Sequence, residues 1–401
     1  MKDGGQVIFE GDDIAVCTEL EGTRSDAVIT FTSRRLNPKR DRAGFGVEFF
    51  RKRGIPAVHV ISFRNHWWQV AEMDAAIAAI NALNLKGRYS SITTYGSSMG
   101  AHGALVFSDA MKADRVLAFS PQFALHGRDS AWNAVWARET AGMVERYRFE
   151  DGCSTTADIL VCIDPRFATD MAHVRAMQRH RPIQLIRIPF GQHPPMKYLQ
   201  DGHLLTPLVD SVLAGSFDMA TFMAQLRANR RNNLRYVLGM ARAHQRRPSR
   251  IGRCLLDRGI EEIRERLDQG GRFPTPGDAA QLIELGCPPE TALPLLDALA
   301  KSYPDDPSIL TARSRFLLST NPAEALVAAK LALKLNRKNV DLRLQVVHAQ
   351  FALGLVQEAR EGLATALSLQ ERNPSVWKRF LVRCNGQLDN DQRAAILARL
   401  N

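Results

Sequence analysis

Short apolar runs alternate with amphipathic stretches through the first half of the chain. Residues 6–9 and 14–18 read as an antiparallel pair joined across Glu10-Gly11-Asp12-Asp13. Further apolar, often β-branched runs at 27–32, 55–63, 91–95, 116–119, 158–163 and 183–190 read as strands. Between them, 44–53, 73–85, 99–111, 165–179 and 204–213 read as helices. Fully apolar strands alternating with helices predict an α/β fold, a mostly parallel sheet covered on both faces. In such sheets chemistry collects at the carboxyl ends of the strands. Residues 123–156 break the rhythm. They hold Trp132 and Trp136 and several helix-formers but no clear strand, and an insertion here is placed to cap a cleft.

After about residue 216 the strand signal stops and only helical patterning remains. Ala298-Leu299, Ala332-Leu333 and Ala366-Leu367 recur at a spacing of about 34 residues, and Ala325 and Ala359 form a second pair in the same register. Asn321-Pro322 and Asn373-Pro374 punctuate the helices. With Gly354, Ala359 and Ala366 at the small-residue positions, 272–380 resembles tetratricopeptide repeats, although the aromatic and proline positions of that family are only partly filled. The resemblance implies closely stacked helix pairs with a concave surface that binds a protein partner. The expected organisation is therefore an α/β domain over 1–215, a basic helical linker over 216–271 and an all-α repeat domain over 272–401.

The chain of 401 residues is long enough for at least two cores, and 45% hydrophobic with 24% charged residues marks it as globular. The first residues contain no apolar segment of signal-peptide type, and no apolar run is long enough to span a membrane. Six scattered cysteines form no CxxC pair, which fits reduced thiols in a cytoplasmic protein. No Cys/His cluster has ligand spacing, so neither a metal nor another cofactor is expected. The net charge of +11 is concentrated: Arg227, Arg230, Arg231, Arg235, Arg242, Arg246, Arg247, Arg250 and Arg253 share a stretch without Asp or Glu. That stretch is either a solvated linker, the preferred reading, or a surface for an anionic partner. Only Tyr236 interleaves the arginines, which places nucleic-acid binding last.

The densest chemical signal is Tyr95-Gly96-Ser97-Ser98-Met99-Gly100, a G-x-S-x-G pattern between a strand and a helix. In that context the turn is a nucleophile elbow: it exposes Ser98 Oγ and aims the Met99 N–H at the same point, half of an oxyanion hole. The close-packed turn requires tiny neighbours, met by Gly96 and Gly100. A serine needs a base, and the base an orienting acid. His193 follows the last strand. Asp164 directly follows the preceding strand, and Asp170 stands six residues further on, able to reach the same place if the turn between folds back. His66 and His102 come in the wrong chain order for the base, and His173 and His203 sit in helical segments and read as surface residues. A backbone N–H of Ser33 or Arg34, after the strand at 27–32, is the candidate second oxyanion donor. Asn65, His66, Trp67, Trp68 and Gln69, after the strand at 55–63, offer rings and amides to a sugar or other planar polar ligand, with Gln122 beside them. The alternative is that the tryptophans anchor a loop into the core.

With the elbow, an acid and a histidine in that order, the first half of the chain resembles the α/β-hydrolase superfamily. The resemblance implies Ser98 as nucleophile, His193 as base and then acid, and Asp164 (or Asp170) as the orienting carboxylate. It implies acyl transfer from a small-molecule or glycan-linked acyl ester to water or another hydroxyl, as in a serine esterase or acyltransferase. It does not fix the substrate. The competing expectation is a non-enzymatic adaptor in which the hydrolase-like domain is a degenerate scaffold and the repeats do the binding.

Overall fold

The computed structural model describes residues 5–35, 40, 43–126, 136, 139–245, 250–273, 275–369, 374–384 and 386–400. Two compact units divide the chain, Met1–Arg230 and Arg231–Asn401.

The strands of the first unit are β1 (Gln6–Glu10), β2 (Ile14–Glu19), β3 (Asp26–Phe31), β4 (Ala57–Ser62), β5 (Ser91–Ser97), β6 (Arg115–Phe119), β7 (Asp158–Ile163) and β8 (Gln184–Arg187). They form one eight-stranded sheet in the order β1-β2-β4-β3-β5-β6-β7-β8. β2 runs antiparallel to both β1 and β4, and the remaining pairings are parallel. The helices are α1 (Val47–Arg51), α2 (Glu72–Ala82), α3 (Leu85–Arg88), α4 (Met99–Val106), α5 (Phe149–Gly152), α6 (Ala168–Met177), α7 (Met196–Asp201), α8 (Leu205–Leu213) and α9 (Met219–Asn229).

Strands β3, β4 and β5 are buried at every position, as two-sided coverage requires. Several of the polar residues carried inside find partners: Thr30 Oγ1 lies 2.6 Å from His59 Nδ1, and Thr94 Oγ1 donates to the Ala104 carbonyl at 2.8 Å. The register levels the carboxyl ends. Phe31 sits beside Gly96, Ser97 beside Phe119, Phe119 beside Cys162 and Ile163 beside Arg187. The segments leaving β3, β5, β6, β7 and β8 therefore emerge along one edge.

Part of the expected cap, including Trp132, lies outside the described residues. Its end is no cap: Phe149 and Cys153 are buried in the main core. A Cβ on Gly152 would stand 2.1 Å from the Val106 carbonyl, so a glycine is what lets α5 rest against the end of α4.

The second unit is helical among the described residues: α10 (Leu234–Gln245), α11 (Arg250–Asp268), α12 (Pro276–Gly286), α13 (Pro289–Ser302), α14 (Pro307–Leu317), α15 (Pro322–Leu335), α16 (Val340–Ala352), α17 (Val356–Ser368), α18 (Pro374–Cys384) and α19 (Asn390–Leu397). The stretch expected as a basic linker is not one. Leu234, Val237, Leu238 and Ala241 of α10 and Ile260 and Ile263 of α11 join the core of α12 and α13, while α9 belongs to the first unit. Arg235 Nε pairs with Asp278 at 2.8 Å. Arg246 and Arg247 lie outside the described residues.

Ala325, Ala359 and Ala366 are fully buried in the repeat register. Gly354 departs from its expected packing role: it stands at φ +74° in the turn after α16, with open space where a Cβ would go. Its hydrogen side chain serves the left-handed turn. The close approach of α16 and α17 falls instead at Gly362, whose Cβ would lie 2.9 Å from a Val347 methyl. Asn321 and Asn339 cap α15 and α16 by accepting the N–H groups of Glu324 and Leu342.

Candidate active site

Ser98 links β5 to α4 with φ 53° and ψ −120°, outside the ordinary regions for an L residue. A Cβ on Gly96 would lie 2.2 Å from the Gly100 carbonyl oxygen, and one on Gly100 would lie 2.2 Å from that of Phe31. Both glycines are thus steric requirements of the turn. The Ser98 N–H is tied to the Phe119 carbonyl at 2.8 Å, and the Ser98 carbonyl accepts the His102 N–H at 3.0 Å, which fixes the strained residue from both sides. The Met99 N–H opens α4 and has no acceptor among the described residues.

His193 stands on the loop after β8, where Phe190 and Gln192 both have positive φ. Its Nε2 lies 3.0 Å from Ser98 Oγ, and its Nδ1 lies 2.9 Å from both carboxylate oxygens of Asp170. A carboxylate only accepts, so Nδ1 carries the proton and Nε2 is left to accept from Ser98. Asp170 is fully buried in the first turn of α6. Ser98 is 8% exposed, and the His193 side chain 12%.

The carboxylate on His193 is therefore Asp170 and not Asp164. Asp164 starts the turn out of β7: Oδ1 accepts the Arg166 N–H at 2.9 Å and Oδ2 the Gln192 N–H at 3.0 Å. The turn folds the chain back and brings α6 under the histidine. Asp164 instead ties the end of β7 to the residue preceding His193, making it a brace of the histidine loop.

Two rings flank His193, those of Trp136 and Phe167, with centroids at 4.9 and 5.6 Å. Phe167 carried no signal in the sequence, and Trp136 stood out only as a tryptophan in an irregular stretch. Two histidines lie deeper, one of them His173, which the helical pattern placed at the surface and which has no exposed area. His102 is fully buried with Nδ1 2.9 Å from the Gln122 carbonyl, and His173 accepts the Phe123 N–H at 3.1 Å. Burial lowers the pKa of both, that of His173 to about 4 although Asp170 pulls it upward.

The residues expected to bind substrate serve the framework. Trp67 and Trp68 have no exposed surface. Trp68 Nε1 donates to the Met99 carbonyl at 2.7 Å, and its ring meets Phe31 edge to face at 5.1 Å, buttressing the helix behind the elbow. His66 Nδ1 accepts the Trp68 N–H, and burial lowers the pKa of this histidine too. Gln69 holds the backbone at Arg146 and Tyr147 through both ends of its amide. Gln122 is buried against the Ser120 carbonyl.

Asn65 exchanges hydrogen bonds with the backbone of Arg35, at 3.1 and 2.7 Å. Arg34 forks onto Glu139, with Nε to Oε2 at 2.8 Å. Asn65 thus pins the segment that holds Ser33 and Arg34, which leaves β3 beside the elbow because Phe31 pairs with Gly96.

No family model and no curated protein matches the chain. Solved structures similar to it include the capsule O-acetyltransferase of Neisseria meningitidis serogroup A, at 12% identity and TM-score 0.40 over 51% of this chain and 93% of that one. A thermophilic TPR protein of Thermus thermophilus is similar at 17% identity and TM-score 0.32, over 45% and 98% of the respective chains.

Proposed function

We propose that the first unit is a serine-dependent acyl-transfer enzyme of α/β-hydrolase type. The observation that carries this reading is the unbroken line from Ser98 Oγ through His193 to the buried Asp170, with contacts of 3.0 and 2.9 Å. The chain order of nucleophile, acid and base supports the same reading. Ser98 Oγ attacks the carbonyl carbon of an ester as His193 Nε2 takes its proton. The Met99 N–H, with a backbone N–H of the segment holding Ser33 and Arg34, receives the developing oxyanion. Collapse expels the alcohol, which takes the proton from His193 and leaves an acyl group on Ser98. Water or an acceptor hydroxyl, deprotonated by His193, then releases it. Asp170 holds the ring with Nε2 toward the serine and stabilises the imidazolium.

A degenerate scaffold has no need of this alignment, so the adaptor reading is disfavoured for the first unit. A glycan-borne ester loses the support expected from Trp67 and Trp68, which are buried. The repeats of the second unit are proposed to supply a surface for a partner. The test is hydrolysis of an aryl acetate by the full chain. Ser98→Ala is expected to lower kcat by about 10⁴-fold or more. Equal turnover by the two proteins would place the chemistry elsewhere.

A further inference from the structure

The second unit contains a concave pocket of about 810 Å³, within the size range of small-molecule sites. It is lined by alternate helices, α10, α12, α14, α16 and α18, each turning polar residues to the same side, while the helices between them contribute no lining residue. Four arginines, Arg242, Arg315, Arg379 and Arg383, face only two carboxylates, Glu284 and Asp341.

The two acids are already engaged. Arg315 Nη1 lies 2.9 and 3.0 Å from the Glu284 oxygens, and Arg379 Nη2 lies 3.2 Å from Asp341. Among the described residues Arg242 donates to the neutral amide oxygen of Gln281. Arg383 has no acceptor among the described residues, and Arg315 Nε is buried without one. The Arg242 and Arg383 side chains both keep contact with solvent; partial desolvation, and for Arg383 then the like charge of Arg315, lowers each pKa against the upward pull of Asp278 and Glu284 on Arg242 and of Glu284 and Asp341 on Arg383. The pocket thus sets four guanidinium groups against two carboxylates, with neither Arg242 nor Arg383 in a direct ion pair among the described residues, and arginine is the one residue type whose planar fork matches phosphate oxygens in pairs. Three apolar side chains, Leu285, Pro307 and Leu342, line it beside the polar ones.

We infer that this pocket is a binding site for a small dianionic ligand, an organic phosphate, held by Arg242 and Arg383 and backed by Arg315 and Arg379. It accounts for one member of the arginine-rich stretch, Arg242, and it does not depend on the acyl chemistry proposed for the first unit.

The test is titration calorimetry on the full chain with three probes: inorganic phosphate, pyrophosphate and hexaglutamate. Pyrophosphate is expected to bind at one site, more tightly than phosphate, and to weaken as salt rises. Arg242→Gln and Arg383→Gln are each expected to weaken it about tenfold or more, the loss of one charge-assisted pair. Arg264→Gln, at an exposed ion pair with Glu261 outside the pocket, is expected to leave it unchanged. If a glutamine variant fails to fold, Arg383→Lys keeps the charge without the fork and is expected to fall between wild type and no binding. Absence of pyrophosphate binding, or equal binding by wild type and the folded pocket variants, would overturn the inference. Hexaglutamate binding without pyrophosphate binding would overturn it in favour of an acidic peptide.

Discussion

Asp164 and Asp170 divide between them the work that a triad asks of one carboxylate. Asp164 accepts two backbone N–H groups and braces the loop, and Asp170 touches the histidine. Their losses therefore differ in kind. Asp170→Asn is expected to cut kcat by about 10³–10⁴-fold with KM nearly unchanged, because an amide no longer selects the productive imidazole tautomer. Asp164→Asn can still offer one oxygen to a backbone N–H, so a smaller fall in kcat is expected, with a lower unfolding midpoint. Steady-state kinetics and denaturant melts of both variants separate the roles, and equal falls in kcat would refute the division. Ser98 and His193 were legible because local pattern and chain order constrain them. Asp170 was legible only as an alternative, since how far a turn folds back depends on tertiary packing that the residues between Asp164 and Asp170 do not spell out.

The elements of the sheet were legible because strands buried on both faces leave long apolar runs, and β7 falls where its run begins and ends. The loop after β4 departs most from what its position in the sheet suggests. A loop at the carboxyl edge is not necessarily at the surface, and Trp67 and Trp68 anchor α4 and do not line a cleft. The same coverage traps histidines in neutral form. His59 on β4 and His173 on α6 are held at a pKa of about 4, chiefly by burial, against an ordinary 6.5. Between pH 6.5 and 4 the unfolded chain binds more protons than the folded one, so stability rises with pH across that window. Acidification from about pH 7 to about pH 4.5 is expected to lower the urea midpoint of the first unit, and His59→Gln to flatten that dependence. A variant with an undiminished slope would show that His59 is not one of the groups responsible.

At the scale of the whole molecule, the change from alternating strands and helices to helices alone was plain in the sequence, and so was the repeat register of Ala325, Ala359 and Ala366. The boundary was not. Nine arginines suggested a linker, but charge on one face of a helix says nothing of the other, and Leu234, Val237, Leu238 and Ala241 supply an apolar face for α10. The arginine pocket was invisible because Arg242 and Arg383 are far apart in sequence and meet only through the stacking of alternate helices. The central proposal, covalent acyl chemistry at Ser98, is tested most directly by incubating the full chain with a fluorophosphonate and locating the adduct by peptide mass spectrometry. The expected result is one adduct, on Ser98, absent from Ser98→Ala and formed far more slowly in His193→Ala. A folded wild-type chain that remains unlabelled at Ser98, or is labelled equally after loss of His193, would contradict it.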